Sequence, residues 1–135
     1  MAVSIYKLRG VKHEIKHKLK RQGFHNSDQF LAAARTPAER TLLAEMIGVE
    51  QSIILQLANR ADLARVRGIG GVFSDLLEQA GVETVKELAA RHSDNLYARL
   101  VEINQQAELA GRLPTRQVVE DWVEQAKVLP GLMEY

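Results

Sequence analysis

The sequence predicts an all-α protein made of two related halves, and three observations carry that expectation. Helix-capping signatures recur along the chain. No stretch of about four to eight residues alternates in the way a half-buried strand does. The chain also matches itself at an offset of 58 residues, placing "LRGVKHEIKHKLKRQGFHNSDQFLA" over "VRGIGGVFSDLLEQAGVETVKELAA". With 135 residues, 46% of them apolar, there is enough material for a packed interior. One compact domain over 1–135 is expected, as a repeat at 2–62 followed by a repeat at 63–130.

In the aligned halves Arg9 meets Arg67, Gly10 meets Gly68, Leu19 meets Leu77, Gly23 meets Gly81 and Ala32 meets Ala90. After seven extra residues in the second copy, Ile53, Ile54, Leu57 and Ala61 meet Val118, Val119, Trp122 and Ala126. The elements follow in order. Each half opens with a short helical turn and a glycine bend, then a helix. In the first half that helix carries the apolar stripe Val11, Ile15, Leu19, ending on Gln22, and Gly23 stops it by entering the left-handed region cheaply. Asn26-x-x-Gln29 and its counterpart Thr84-x-x-Glu87 are capping-box spacings for the next helix. Thr36-Pro37-x-Glu39 starts a third, with proline at the first helical position, and Gly48 ends it. Thr115 caps a last helix to about Lys127, and Pro130 lies beyond it. The count comes to about eight to ten short helices. Trp122, paired with Leu57 in the repeat, is expected in the core.

Charge is segregated although the net is only +1. Residues 1–25 hold seven Lys or Arg against Glu14 alone, and the rest of the chain holds 11 bases against 16 acids. A basic surface of this kind suits an anionic partner. The absence of cysteine excludes disulfides, thiolate metal sites and cysteine nucleophiles. No apolar run spans a bilayer and no secretory leader is evident at "MAVSIYKLRG", so a cytoplasmic location without membrane attachment is expected. The carboxylates Glu120, Asp121 and Glu124 read as a solvated face, and no nucleophile-base arrangement stands out. A non-enzymatic protein without cofactor is expected.

His13-Glu14-Ile15-Lys16-His17 spells the zinc-protease signature H-E-x-x-H. On the helix the two histidines fall opposite the apolar stripe, facing solvent beside Lys12, Lys16, Lys18, Lys20 and Arg21, which repel a dication. Their repeat partners are Gly71 and Asp75, so no metal is expected. Facing an anionic partner instead, the imidazoles would strengthen binding toward about pH 6.

"LARVRGIGGVFSDLLEQAGVETVKELAAR" resembles the helix-hairpin-helix motif, with Gly68-Ile69-Gly70 as its glycine-hydrophobe-glycine hairpin, and the trailing "AGVETVKELA" is similar to recombinase amino-terminal domains, a SAM-like arrangement. Over residues 2–130 the chain resembles a bacterial family of tandem helix-hairpin-helix proteins catalogued as a domain of unknown function. The resemblance implies phosphate-backbone contact. Physically, such a bend precedes a helix whose first amides are free and whose dipole is positive, and glycine keeps side chains out of a phosphate's way. That grip reads backbone and not bases. The expected contacts are Arg9, Gly10, Lys12, Lys16 and Lys20 in the first copy, with Arg67, Gly68, Gly70 and Gly71 in the second. The assets are divided: Lys12 replaces the first copy's second glycine, while Asp75 and Glu78 stand in the second where the first has His17 and Lys20. Two functions stay open, a nucleic-acid module and a protein-interaction scaffold whose basic terminus recruits an acidic partner.

Overall fold

The computed structural model describes residues 2–135. A 3₁₀ turn at Ile5–Lys7 leads into α1 (His13–Arg21), α2 (Ser27–Ala32), α3 (Pro37–Ile47) and α4 (Gln51–Leu63). Then come α5 (Gly71–Gln79), α6 (Val85–Ala89), α7 (Ser93–Ala107) and α8 (Arg116–Val128). The protein is all-α; the described residues hold a lone bridge, Ser4 to Asn26, in place of any sheet. An offset of 58 residues carries α1 onto α5 residue for residue, and an offset of 65 does the same for α4 and α8.

The helix ends follow from local chemistry. Asn26 Oδ1 accepts from the Gln29 amide at 2.9 Å, and Thr84 Oγ1 accepts from the Glu87 amide at 3.2 Å. In both copies the reciprocal bond goes one residue further back than a standard capping box, from the His25 amide to Gln29 and from the Glu83 amide to Glu87. Thr36 and Thr115 cap α3 and α8. At the other end, α1 and α5 close in the same Schellman geometry: Phe24 N–H donates to Leu19 O and Val82 N–H to Leu77 O, around Gly23 (φ 100°) and Gly81 (φ 85°). Alanine at either glycine would be forced into the left-handed region.

Each half has its own core. Leu19, Phe30, Leu43, Ile54 and Leu57 anchor the first, and Leu77, Leu88, Leu100, Val119 and Trp122 the second. The same pairs of helices pack in both: α2 on α4 and α6 on α8, α3 on α4 and α7 on α8, α1 on α3 and α5 on α7. Fully burying a Leu or Ile contributes about 1.5–3 kcal/mol, so side chains spaced along helices too short to persist alone hold both halves together. Trp122 is only 1% exposed.

The C-terminal tail docks on the body. Leu132 and Met133 pack against the first core. Arg35 Nε donates to Leu132 O, the Glu134 amide donates to Arg35 O, and Arg40 donates to Glu134 O at 2.7 Å. Tyr135 Oη reaches Asn59 Oδ1 at 3.0 Å, with the Arg40 guanidinium over its ring. The tail thus straps the end of the second half to the first. Among the described residues no single helix is long and apolar enough to cross a membrane.

Candidate functional site

The two glycine bends are linked by Arg9, which lies next to Gly10 in sequence and over Gly71 of the second half. Gly10 (φ 89°) and Gly68 (φ 97°) hold the same left-handed position in the two halves. At Gly68 a side chain is excluded twice, because the Trp122 indole nitrogen lies 3.0 Å from where a Cβ would stand. Among the described residues that buried indole N–H has no hydrogen-bond acceptor. The helices after the bends start on Lys12 and Gly70, both extended and neither offering a side-chain cap. The first helical bonds are Ile15 to Lys12 O and Ser74 to Gly70 O. Among the described residues, the amides of 13 and 14, and of 71 to 73, therefore have no protein acceptor, and they sit at the positive ends of the two helix dipoles.

Lys7 and Leu8 from the first half share a small hollow of about 60 Å³ with Ile69, Gly70 and Gly71 from the second. Arg9 crosses this seam: its Nε lies 2.8 Å from the Cβ position of Gly71, and its Nη1 bonds Asp75 at 2.9 Å. Arg60, only 6% exposed, reaches the same carboxylate at 2.6 Å, Glu78 at 2.5 Å and Ser74 Oγ at 2.8 Å. Its guanidinium also backs Gly10, 3.5 Å from the Cβ position there. A buried arginine needs such partners, since an unpaired charge at that depth costs several kcal/mol.

The expected contact residues are distributed as follows. Arg9 bridges the seam, half exposed. Gly10, Lys12 and Lys20 are exposed, with the Lys20 ammonium 5.1 Å from the Tyr6 ring centre. Arg67 projects its side chain outward, but Gln125 engages both its backbone N–H and its carbonyl. Gly68 is backed by Trp122, Gly70 is open, and Gly71 lies beneath Arg9.

Lys16 corrects the sequence reading. It is 8% exposed, and its ammonium donates to Leu8 O at 2.7 Å and to Tyr6 O at 3.3 Å. Burial, and secondarily the charge of Arg9, hold its pKa below the ordinary lysine value. Its role is to satisfy the carbonyls of the 3₁₀ turn and hold α1 against it, which removes it from the outward-facing cations.

His13 and His17 are exposed and stack with Tyr6, and Tyr6 Oη lies 2.9 Å from His17 Nδ1. Among the described residues no three His, Cys, Asp or Glu side chains gather as a metal site would need. Glu120, Asp121 and Glu124 lie exposed on α8, Asp121 bonded to Gln125 and Glu124 paired with Lys127.

Sequence reasoning missed Arg60 and Gln125. The two occupy equivalent positions, 65 residues apart, and each reaches the glycine bend of its own half. The available signal was a charged residue inside the mainly apolar end of α4, in "LQLANRADLARV".

The match that bears on identity covers residues 9–129, to a family described as "Domain of unknown function (DUF4332)". The chain belongs to this family. The matched region of DUF4332 takes in both glycine bends and all eight α-helices, ending one residue beyond α8. No curated protein and no solved structure matches the chain.

Proposed function

We propose that this DUF4332 protein is a non-enzymatic module of bacterial helix-hairpin-helix type, duplicated in tandem, that holds nucleic acid by its sugar-phosphate backbone without reading sequence. The observation that supports this reading most is Arg9, next to Gly10 in the first bend, lying over Gly71 of the second, with first-turn amides that lack a protein acceptor at the start of each following helix. The contact set is Arg9, Gly10, Lys12 and Lys20 with Arg67, Gly68, Gly70 and Gly71. A cytoplasmic location fits this role.

The chemistry is electrostatic. Phosphate oxygens accept from the bare amides at the starts of α1 and α5, and the cations around them release counter-ions. Arg9 already shares Asp75 with Arg60, so a phosphate at the seam competes with a carboxylate for it, which keeps the grip moderate. With about four phosphates neutralised, log K falls against log salt with a slope near about −3.6 on duplex and about −2.8 on single strands. A fluorescence-anisotropy titration at about 50 mM salt tests this, comparing the unaltered chain with Lys12→Glu and Gly70→Glu. Both substitutions lower affinity at least roughly tenfold on this reading. Absence of binding to either form of nucleic acid contradicts it.

One observation favours the rival scaffold reading: Leu42 and Met46, one turn apart on α3, are 63% and 55% exposed. On that reading an acidic protein partner binds the basic face or a partner covers α3, and Lys12→Glu with Gly70→Glu leaves the α3 contact intact.

A further inference from the structure

The rings that spell the false zinc signature cluster with Tyr6. Tyr6, in the 3₁₀ turn, lies 5.0 Å from His13 between ring centres with planes 20° apart, and His13 lies 6.4 Å from His17 at 12°. Tyr6 and His17 are 6.5 Å apart at 28°. The bond between Tyr6 Oη and His17 Nδ1 ties two of the three together, and Lys20 sits above the tyrosine. Three near-parallel rings thus line the exposed side of the most basic segment of the chain, with Lys12 and Lys20 alongside.

The second half shows what this face does when it is used. The residues 58 positions on are Ala64, Gly71, Asp75 and Glu78. Gly71 lies under Arg9, Asp75 pairs with Arg9 and Arg60, and Glu78 pairs with Arg60. That face of α5 is consumed by the join between the halves. On the same face of α1, His13, His17 and Lys20 are exposed, and that face carries rings and cations where the joined face carries small residues and acids. The flat π-surfaces of exposed His13 and His17 and half-buried Tyr6, with Lys20 beside them, match planar bases attached to phosphates; paired bases inside a duplex do not offer their faces.

We propose that Tyr6, His13 and His17 form a stacking site for unpaired bases, so that the nucleic acid held at the seam is single-stranded. This inference rests on the nucleic-acid reading of the glycine bends and names the substrate class for it. Stacking tolerates any base, which agrees with sequence-independent contact.

The test is a titration of the full chain with a short thymidine strand and with an abasic strand of the same length and charge. The strand with bases binds about tenfold more tightly to the unaltered protein, and the ratio falls to near parity in His13→Ala/His17→Ala. Both histidines are exposed, and circular dichroism verifies that the variant keeps its helices. Equal affinity for the two strands, or a preference that survives the double substitution, overturns the stacking site while leaving backbone contact standing. Failure of both strands to bind, with a duplex of the same length unbound as well, overturns both readings together.

Discussion

The two halves share a framework and differ in what they do with one face of it. In the second half, α5 turns Gly71, Asp75 and Glu78 toward the first half, where Arg9 and Arg60 meet them. In the first half, α1 turns His13, His17 and Lys20 outward with Tyr6. A duplicated fold has two copies of every surface, but a side-by-side join between copies uses unlike faces. One copy of the joining face is therefore left over and is free to acquire different chemistry. The excess of positive charge in residues 1–25 marks that leftover face.

The largest expected contrast lies at the equivalent positions Arg60 and Gln125. Arg60 joins the halves through two carboxylates, while Gln125 stays within its own half, bonding the backbone of Arg67 and the carboxylate of Asp121. Arg60→Leu strands Glu78 and leaves Asp75 with Arg9 alone, and both carboxylates are partly exposed and so partly rescued by water. It is expected to cost about 2–4 kcal/mol, against about 1 kcal/mol for Gln125→Leu, read from urea midpoints. Equal costs would mean that the ion pairs contribute little to the join.

A smaller contrast separates the glycines. Gly10→Ala and Gly68→Ala each place a side chain in the left-handed region, at about 1–2 kcal/mol. Gly68→Ala also drives a methyl onto the Trp122 indole, 3.0 Å away, whereas at Gly10 the neighbouring Arg60 guanidinium stands at 3.5 Å. Thermal unfolding should rank Gly68→Ala below Gly10→Ala. The reverse order would contradict the packing described for the second bend.

The smallest effect concerns the strap between halves. Burial, with Asp62 and Glu87 adding repulsion, pushes the Tyr135 hydroxyl up to about 12. Because the folded value exceeds the unfolded one, this contribution is complete below about pH 10 and is lost as pH rises through the folded value. Tyr135→Phe loses the bond to Asn59, about 1 kcal/mol or less, and should flatten the fall in stability between about pH 10 and 12.

Much of the helical framework was legible because its signals are local. Asn26, Thr36, Thr84 and Thr115 cap helices through bonds spanning three residues, and Gly23, Gly48 and Gly81 end them through their own dihedrals. What remained hidden depends on distant partners. Lys16 sits one position from the apolar stripe, and periodicity alone cannot say that its stem is buried while its head meets two carbonyls of the preceding turn. Arg60 reads as a helix-surface cation until Asp75, Glu78 and Ser74 are brought to it by the join. The tail "PGLMEY" carries no periodicity at all, and its docking is set by Arg35, Arg40 and Asn59, roughly 75 to 100 residues earlier. For the candidate site, the glycine bends and the basic segment were readable; that Arg9 crosses from the first bend to Gly71 and Asp75 was not.

The central claim is that both bends hold one ligand together, and amide chemical shifts report it residue by residue. In a nitrogen-15 NMR titration with a short single strand, the amides from Gly10 to Glu14 and from Gly70 to Phe73 should move together, along one binding curve. Movement confined to one bend, or centred on Leu42 and Met46 of α3, would contradict the account.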